Sequence, residues 1–189
     1  MKFLRKIEMN STKFVVLGVG NILEKDDGIA VYATSYLEKN YHFEPSIEII
    51  NGGVEGINLL NLFMENDHIL ILDAINIDDE AGSIYHIPSN ELSGYGINTG
   101  GAHEVGVLQC LDILELMNKP LPKSTILGII PKTVEVNIGL TQEMKKAFSI
   151  YIESIINILK KENIVVTQNK SIINLDAVIE LFKNPKIES

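Results

Sequence analysis

Short apolar segments recur along the chain, and amphipathic helical patterns separate them. Residues Phe14–Val19 and 68–73 are almost wholly apolar, as is typical of strands buried on both faces of a parallel sheet. Residues 46–51 and 124–130 predict two further strands. Residues 83–87 follow a glycine turn and alternate between apolar and polar positions, which favours an antiparallel strand at the edge of the sheet.

Helical spacing fills the intervals between these strands. Residues 28–39, 56–64 and 103–117 carry apolar positions three or four residues apart. Residues Gln142–Lys161 predict a long amphipathic helix that begins after Thr141, a favourable N-cap residue. Strands that alternate with helices of this length require crossover connections. We therefore predict a three-layer α/β/α sandwich around a mostly parallel, twisted sheet.

The length of 189 residues suits a single domain. The predicted sandwich occupies residues 14–161, and a C-terminal extension, residues 163–189, adds a strand-like run and a possible helix. Residues 89–102 form a stretch rich in glycine and polar residues that leads into a predicted helix. A loop of this length is usually functional or mobile, and we expect it to be mobile in the free protein.

Composition and charge limit the function classes. A formal net charge of −9 argues against a nucleic-acid partner, which needs a basic face. No apolar run reaches the ~20 residues that cross a bilayer, so we expect no membrane association. The basic amino terminus lacks the cleavage site of a signal peptide. The single cysteine, Cys110, lies on an apolar helix face and is interpreted as a core residue in a reducing compartment, the cytoplasm.

The first strand runs into a glycine turn that ends in two acids. The segment reads Gly18-Val19-Gly20-Asn21, with Asp26-Asp27-Gly28 close behind. A dinucleotide-binding fingerprint would have a third glycine where Leu23 stands. A pyrophosphate at the following helix N-terminus would also be repelled by Asp26 and Asp27. The turn therefore indicates a metal or water site, and a nucleotide-binding oxidoreductase is the less favoured alternative.

Three polar residues are candidate ligands at one edge of the sheet. Asp27 ends the turn after the first strand, Asp73 ends the most apolar strand, and His103 opens the helix after the glycine-rich loop. In open α/β sheets the ligand crevice lies beyond the carboxyl ends of the strands. Two carboxylates and one imidazole suit Zn²⁺ or Ni²⁺, and three protein ligands leave a position open for water or substrate.

A series of short segments in this order resembles one enzyme family, the maturation endopeptidases of [NiFe] hydrogenases, over roughly residues 14–160. The segments are Gly18-Val19-Gly20-Asn21, Asp26-Asp27-Gly28, Gly52-Gly53, Leu72-Asp73-Ala74, His103-Glu104-Val105-Gly106, Pro131 and Gly139-Leu140-Thr141. The resemblance implies an α/β sandwich of the phosphorylase/hydrolase-like kind. It also implies an endopeptidase that removes the C-terminal extension of the hydrogenase large-subunit precursor once nickel is in place.

The same resemblance assigns metal binding to Asp27, Asp73 and His103. Nickel carried by the precursor is then the recognition element, and Zn²⁺ or Cd²⁺ can substitute for it in the free protein. Asn51 stands where the family usually has aspartate, and Val54 where it usually has threonine. A buried Asn can still orient a ligand by hydrogen bonding. The extension after residue 162 follows the last motif and holds no candidate ligand, so we expect it to be dispensable for cleavage.

The residues leave two hydrolytic routes open. The metal could activate water and polarise the carbonyl, or a carboxylate such as Asp73 could act as general base. The chain lacks both H-E-x-x-H and G-x-S-x-G, which argues against a zincin or a common serine hydrolase. A non-catalytic nickel-binding maturation chaperone would need the same three ligands and is the alternative from another class. We expect the protein to be a monomer.

Overall fold

A five-stranded sheet forms the centre of the molecule. The computed structural model describes residues 12–88 and 102–185, without the side chains of residues 102–105. The strands of the sheet are β1 (Phe14–Val19), β4 (Glu48–Gly53), β5 (His68–Ala74), β6 (Ile84–Pro88) and β7 (Lys123–Ile129). Their order is β4-β1-β5-β7-β6; the first four are parallel, and β6 lies antiparallel to β7 at one edge. The mostly parallel sheet and its antiparallel edge strand are confirmed.

Helices cover both faces of this sheet, which confirms the three-layer α/β/α arrangement. The helices are α1 (Ile29–Asn40), α2 (Leu60–Glu65), α3 (Ala102–Leu116), α4 (Gln142–Lys161) and α5 (Leu175–Lys183). Helix α4 has the predicted bounds, and the hydroxyl of its N-cap, Thr141, accepts a hydrogen bond from the backbone N–H of Met144 at 3.3 Å. None of the described helices is long and apolar enough to cross a membrane.

Alternation along the strands divides the core into two clusters. In β5, Leu70 and Leu72 pack with α1, α4 and α5, whereas Ile69 and Ile71 pack with α2 and α3. The side chains of β1 alternate between the two clusters in the same way, because successive side chains of a strand point to opposite faces of the sheet. Both faces are thus buried, which explains why these strands are almost wholly apolar. Cys110 is fully buried in the second cluster, as its interpretation as a core residue predicted.

Some local elements differ from the sequence prediction. The helix predicted over residues 56–64 begins as a 3-10 turn, Gly56–Leu59, and only then continues as α2. The tighter turn changes the facing positions, so Ile57 is exposed while Phe63 is buried. Three short strands were not predicted: β2 (Glu24–Lys25), β3 (Tyr41–Glu44) and β8 (Glu135–Val136). Strand β9 (Val165–Gln168) corresponds to the strand-like run predicted in the C-terminal extension. Strand β2 pairs with β8, and β3 pairs with β9.

The segment after α4 packs against the rest of the domain. Strand β9 lies antiparallel to β3, and in α5 Val178 and Ile179 are buried in the first cluster. The ring of Phe182 meets Tyr32 edge-on at 5.4 Å. This packing does not support the expectation that the extension is dispensable, because its removal would expose apolar surface of α1 and the sheet.

A buried amide joins α1 to this segment. Asn40, the last residue of α1, is fully buried, and its side chain donates to the carbonyl of Ile173 at 3.0 Å and accepts from the N–H of Ile173 at 2.8 Å. The exposed Asn169 makes a similar bond to the carbonyl of Lys39 at 2.9 Å. The two asparagines thus offer a buried and an exposed version of the same type of contact.

We predict that Asn40→Ala lowers the free energy of unfolding by about 2 kcal/mol, because both backbone groups of Ile173 lose their partner in a buried place. Asn169→Ala should change it by no more than about 0.5 kcal/mol, since water can replace an exposed bond. Urea unfolding followed by circular dichroism measures both variants. Equal, small effects would show that the last segment contributes little to stability.

Candidate active site at the carboxyl edge of the sheet

The two candidate carboxylates lie at the same edge of the sheet. Strands β1 and β5 are parallel neighbours, with Gly18 beside Leu72, so the turn that holds Asp27 and the end of β5 that holds Asp73 share the carboxyl edge. Asp27 is 7% exposed and Asp73 is 2% exposed. Burial of a carboxylate is costly unless it has polar or cationic partners, and buried titratable groups in such a place are candidates for a functional site.

The glycine turn is shaped around Asp27. Gly20 has a φ of +140°, and a Cβ at this position would lie 2.2 Å from the carbonyl oxygen of Asp27. The backbone N–H of Asn21 donates to Oδ2 of Asp27. A side chain at residue 20 would therefore push the backbone of Asp27 away, and only glycine satisfies both the dihedral angle and the close approach.

The preceding acid, Asp26, has a different role from Asp27. It is fully buried and has a φ of +48°. Its carboxylate accepts hydrogen bonds from the N–H of Thr141 at 2.6 Å, the Oγ1 of Thr141 at 2.8 Å, and the N–H groups of Lys132 and Thr133 at 3.2 and 3.3 Å. Asp26 thus ties the turn after β1 to the loop after β7 and to the start of α4.

The role of Asp26 was missed by sequence reasoning, which treated the two acids together. The sequence offers no local signal for this role, because the donors to Asp26 lie more than a hundred residues later in the chain. Both acids lie at the start of α1, where a pyrophosphate would have to sit. The nucleotide-binding alternative is therefore not favoured.

Asp73 lies on the face of the sheet that α3 covers. Ile71 and Ile69 lie two and four residues earlier in β5 and pack with Val107 and Cys110 of α3. Because alternate residues of a strand share a face, Asp73 lies on the same side. The carboxylate thus faces the layer whose first helix turn carries His103.

Behind Asp73, on the other side of the sheet, lies the phenol of Tyr151. The Tyr151 hydroxyl donates to the carbonyl of Leu127 at 2.8 Å. Burial raises the pKa of Tyr151 well above its ordinary value of 10.0, and the negative charge of Asp73 raises it further. The phenol therefore stays protonated and anchors α4 to β7 beside the site.

His103 is the second residue of α3, and its side chain lies outside the described part of the structure. Three residues after His103, the backbone of α3 packs closely against the backbone at Gly56. A Cβ on Gly106 would lie only 2.3 Å from the Cα of Gly56. This contact explains the glycine of the H-x-x-G segment. Among the side chains that are described, no group of three metal-binding residues is found. Joint binding by Asp27, Asp73 and His103 stays a prediction. The loop of residues 89–102, which we expect to be mobile, lies outside the described residues except for residue 102.

Asn51 uses its amide oxygen in the turn after β4. Its Oδ1 accepts a hydrogen bond from the N–H of Gly53 at 3.1 Å, and the carbonyl of Gly53 accepts one from the N–H of Gly20 at 2.9 Å. An aspartate could accept the same bond, so the turn needs an oxygen acceptor at residue 51 and not a negative charge. The departure from the family pattern is therefore compatible with the same local geometry.

The other histidines lie elsewhere. His68 begins β5 at the opposite end from Asp73; its ring lies 4.4 Å from that of Phe14, and its Nδ1 lies 3.5 Å from a carboxylate oxygen of Glu162. Burial lowers the pKa of His68. His42 and His86 are exposed on β3 and β6.

Comparison with known proteins agrees with this geometry. A sequence model of the hydrogenase maturation protease family matches residues 31–158. The hydrogenase 2 maturation protease of Escherichia coli (strain K12) is 30% identical over 161 residues, which cover 85% of this chain and 98% of that protein. The hydrogenase expression/formation protein HupD of Rhizobium leguminosarum bv. viciae is 27% identical over 157 residues, which cover 82% and 78%.

Among solved structures, the hydrogenase maturating endopeptidase HybD from E. coli has the same fold, with a TM-score of 0.77 and 29% sequence identity over 84% of this chain and 98% of that one. The match extends over both faces of the sheet and includes nearly all of the E. coli protein. The chain thus belongs to the hydrogenase maturation protease family and is a peptidase.

Proposed function

We propose that this peptidase removes the C-terminal extension from the nickel-loaded large-subunit precursor of a [NiFe] hydrogenase. The observation that supports the proposal most strongly is the pair of buried carboxylates, Asp27 and Asp73, at the carboxyl edge of the sheet in a chain of this family. Ligands of open α/β sheets bind in this place. The reaction completes maturation of the precursor.

Nickel enters this reaction as part of the substrate. Asp27 and Asp73 supply carboxylate oxygens, and His103, at the start of α3, supplies an imidazole nitrogen; this donor set suits Ni²⁺, and equally Zn²⁺ or Cd²⁺ in the free protein. Binding of the metal by these side chains holds the adjoining scissile peptide over the site, so that a precursor without nickel is not recognised.

Hydrolysis adds one water across the scissile peptide bond. The water oxygen bonds to the carbonyl carbon, the C–N bond breaks, and the leaving nitrogen gains a proton. In one route Asp73 accepts the proton of the water and then passes it to the leaving amine. In the other route the metal supplies Lewis acidity, while Asp27 and Asp73 hold it in place. Both routes need the two carboxylates charged and held at fixed positions.

Asp26 and Gly20 maintain those positions. The four hydrogen bonds to Asp26 fix the turn relative to the start of α4, and Gly20 lets the turn close on the backbone of Asp27. These residues act through Asp27. The net charge of −9 disfavours nucleic acid as a partner. We further propose that the enzyme is a cytoplasmic monomer.

We predict that the protein cleaves a nickel-loaded large-subunit precursor once, near its C-terminus, and leaves the nickel-free precursor intact. The reason is that the metal is the group that Asp27, Asp73 and His103 bind. Mass spectrometry of both precursors after incubation gives the products and the cleavage position. Tight binding of the loaded precursor without cleavage would instead indicate the nickel chaperone, and equal cleavage of both forms would rule out recognition of nickel.

Asp73→Asn should reduce the rate of precursor cleavage at least about a hundredfold, because an amide neither carries the ligand charge nor accepts a proton. The change is nearly isosteric, so the circular dichroism spectrum and melting temperature should stay those of the parent. Asp112→Asn, an exposed position on α3, is the matched control and should cleave normally. A folded Asp73→Asn variant with the parental rate would remove Asp73 from the site.

His103→Ala should abolish the binding of one Zn²⁺ or Ni²⁺ per chain, because two carboxylates alone make a weak and incomplete ligand set. His42→Ala and His86→Ala, both at exposed positions, should bind the metal as the parent does. Isothermal titration calorimetry of the three variants measures this. If His103→Ala retains parental affinity, the imidazole is not a ligand and the proposed triad is wrong.

A further inference from the structure

A groove opens beside Asp27 at the carboxyl edge of the sheet. Its two walls are residues 20–23, after β1, and residues 51–55, at the end of β4 and beyond it. Its volume is about 430 Å³, within the range of ~300–1,000 Å³ that is common for small-ligand sites.

The groove is continuous with the glycine turn after β1, which holds Asp27. Asn21, in one wall, donates its backbone N–H to the carboxylate of Asp27. A Cβ on Gly20, in the same wall, would lie 3.7 Å from Oδ2 of Asp27. A molecule lying in the groove is therefore next to the carboxylate that we assign to the metal of the substrate.

The walls of the groove favour an uncharged, apolar side chain. Leu23 is 55% exposed and Val54 is 59% exposed, one on each wall, although both are apolar. Glu55 is the single charged residue of the lining, so the walls provide no cation for an acidic group. Large exposed apolar side chains on both sides of a concave site are typical of a binding surface.

The floor of the groove has room for a main chain. A Cβ built on Gly53 would meet a single atom within 4 Å, Oδ1 of Asn51 at 3.8 Å, so the absence of a side chain here leaves space on the groove. The groove also ends at β4, an edge strand of the sheet that pairs with β1 alone among the described strands. Glycine backbone and an open strand edge are features that bind extended peptides.

We propose that this groove binds the segment of the precursor next to the scissile bond in an extended conformation, with an uncharged apolar side chain between Leu23 and Val54. The inference rests on the proposed function, since that function supplies a polypeptide whose metal-bound part lies against Asp27. A peptide is the occupant that matches all three features: apolar walls, a glycine floor and continuity with Asp27. Leu23 and Val54 are then specificity-determining residues of the cleavage reaction.

The test compares groove variants with a control of equal exposure. The double variant Leu23→Ser, Val54→Ser should lower kcat/KM for the nickel-loaded precursor by about tenfold or more, mainly through a higher KM, because it removes apolar contacts to the bound segment. Ile150→Ser on α4, where the parent residue is 60% exposed, should leave kcat/KM unchanged. Melting temperatures of both variants should stay near that of the parent, since all three positions are at the surface.

Gly53→Ala tests the floor of the groove independently. The added methyl makes only an ordinary contact with Oδ1 of Asn51, at 3.8 Å, although the φ of +47° makes alanine somewhat strained. The variant should lower kcat/KM in the same direction. Parental kcat/KM in the double variant would overturn the inference and leave the proposed function standing. Absence of precursor cleavage by the parent itself would overturn both.

Discussion

The carboxylate of Asp26 is the interaction on which the geometry of the site depends. It lies in a fully buried place and accepts four hydrogen bonds from residues more than a hundred positions later in the chain. Bonds to an ionised acceptor are among the stronger hydrogen bonds in proteins, and the low polarity around them increases both their strength and the cost of losing one. Through Asp26 the start of α1, the loop after β7 and the start of α4 are held as one unit.

Two neighbouring acids thus differ in their partners: Asp26 joins distant segments of the fold, and Asp27 is the one that we propose as a ligand. Asp26 faces into the protein, where Thr141 donates twice to it, and Asp27 faces the groove side of the turn, where Asn21 donates to it. Asp26 has a positive φ of +48°, and the donors to its carboxylate come from the loop after β7 and the start of α4. An Asp-Asp pair in a sequence carries no mark of this difference, because the donors to Asp26 come from a distant segment.

Most of the sheet could be predicted, because its strands have a simple physical signature. Strands β1 and β5 are buried on both faces and are therefore almost wholly apolar, and α4 has an N-cap and a strong amphipathic pattern. Strand β3 could not be predicted, since it follows α1 without a breaker and exists through pairing with β9, some 120 residues away. Asp27 and Asp73 were predicted as ligands because acids at strand ends are conspicuous, and their role in the site stays a prediction. Asn51 and Asp26 act through backbone hydrogen bonds that no local pattern records.

The contact between Gly56 and Gly106 links the two halves of the proposed site mechanically. With no side chain between them, the backbone after β4 and the first turns of α3 touch directly, so neither can move toward the other without displacing it. Residues 51–55 form one wall of the groove, and α3 carries His103 near its start. The groove wall of residues 51–55 and the helix that carries His103 therefore change position together. Two glycines that take no part in the chemistry set their separation.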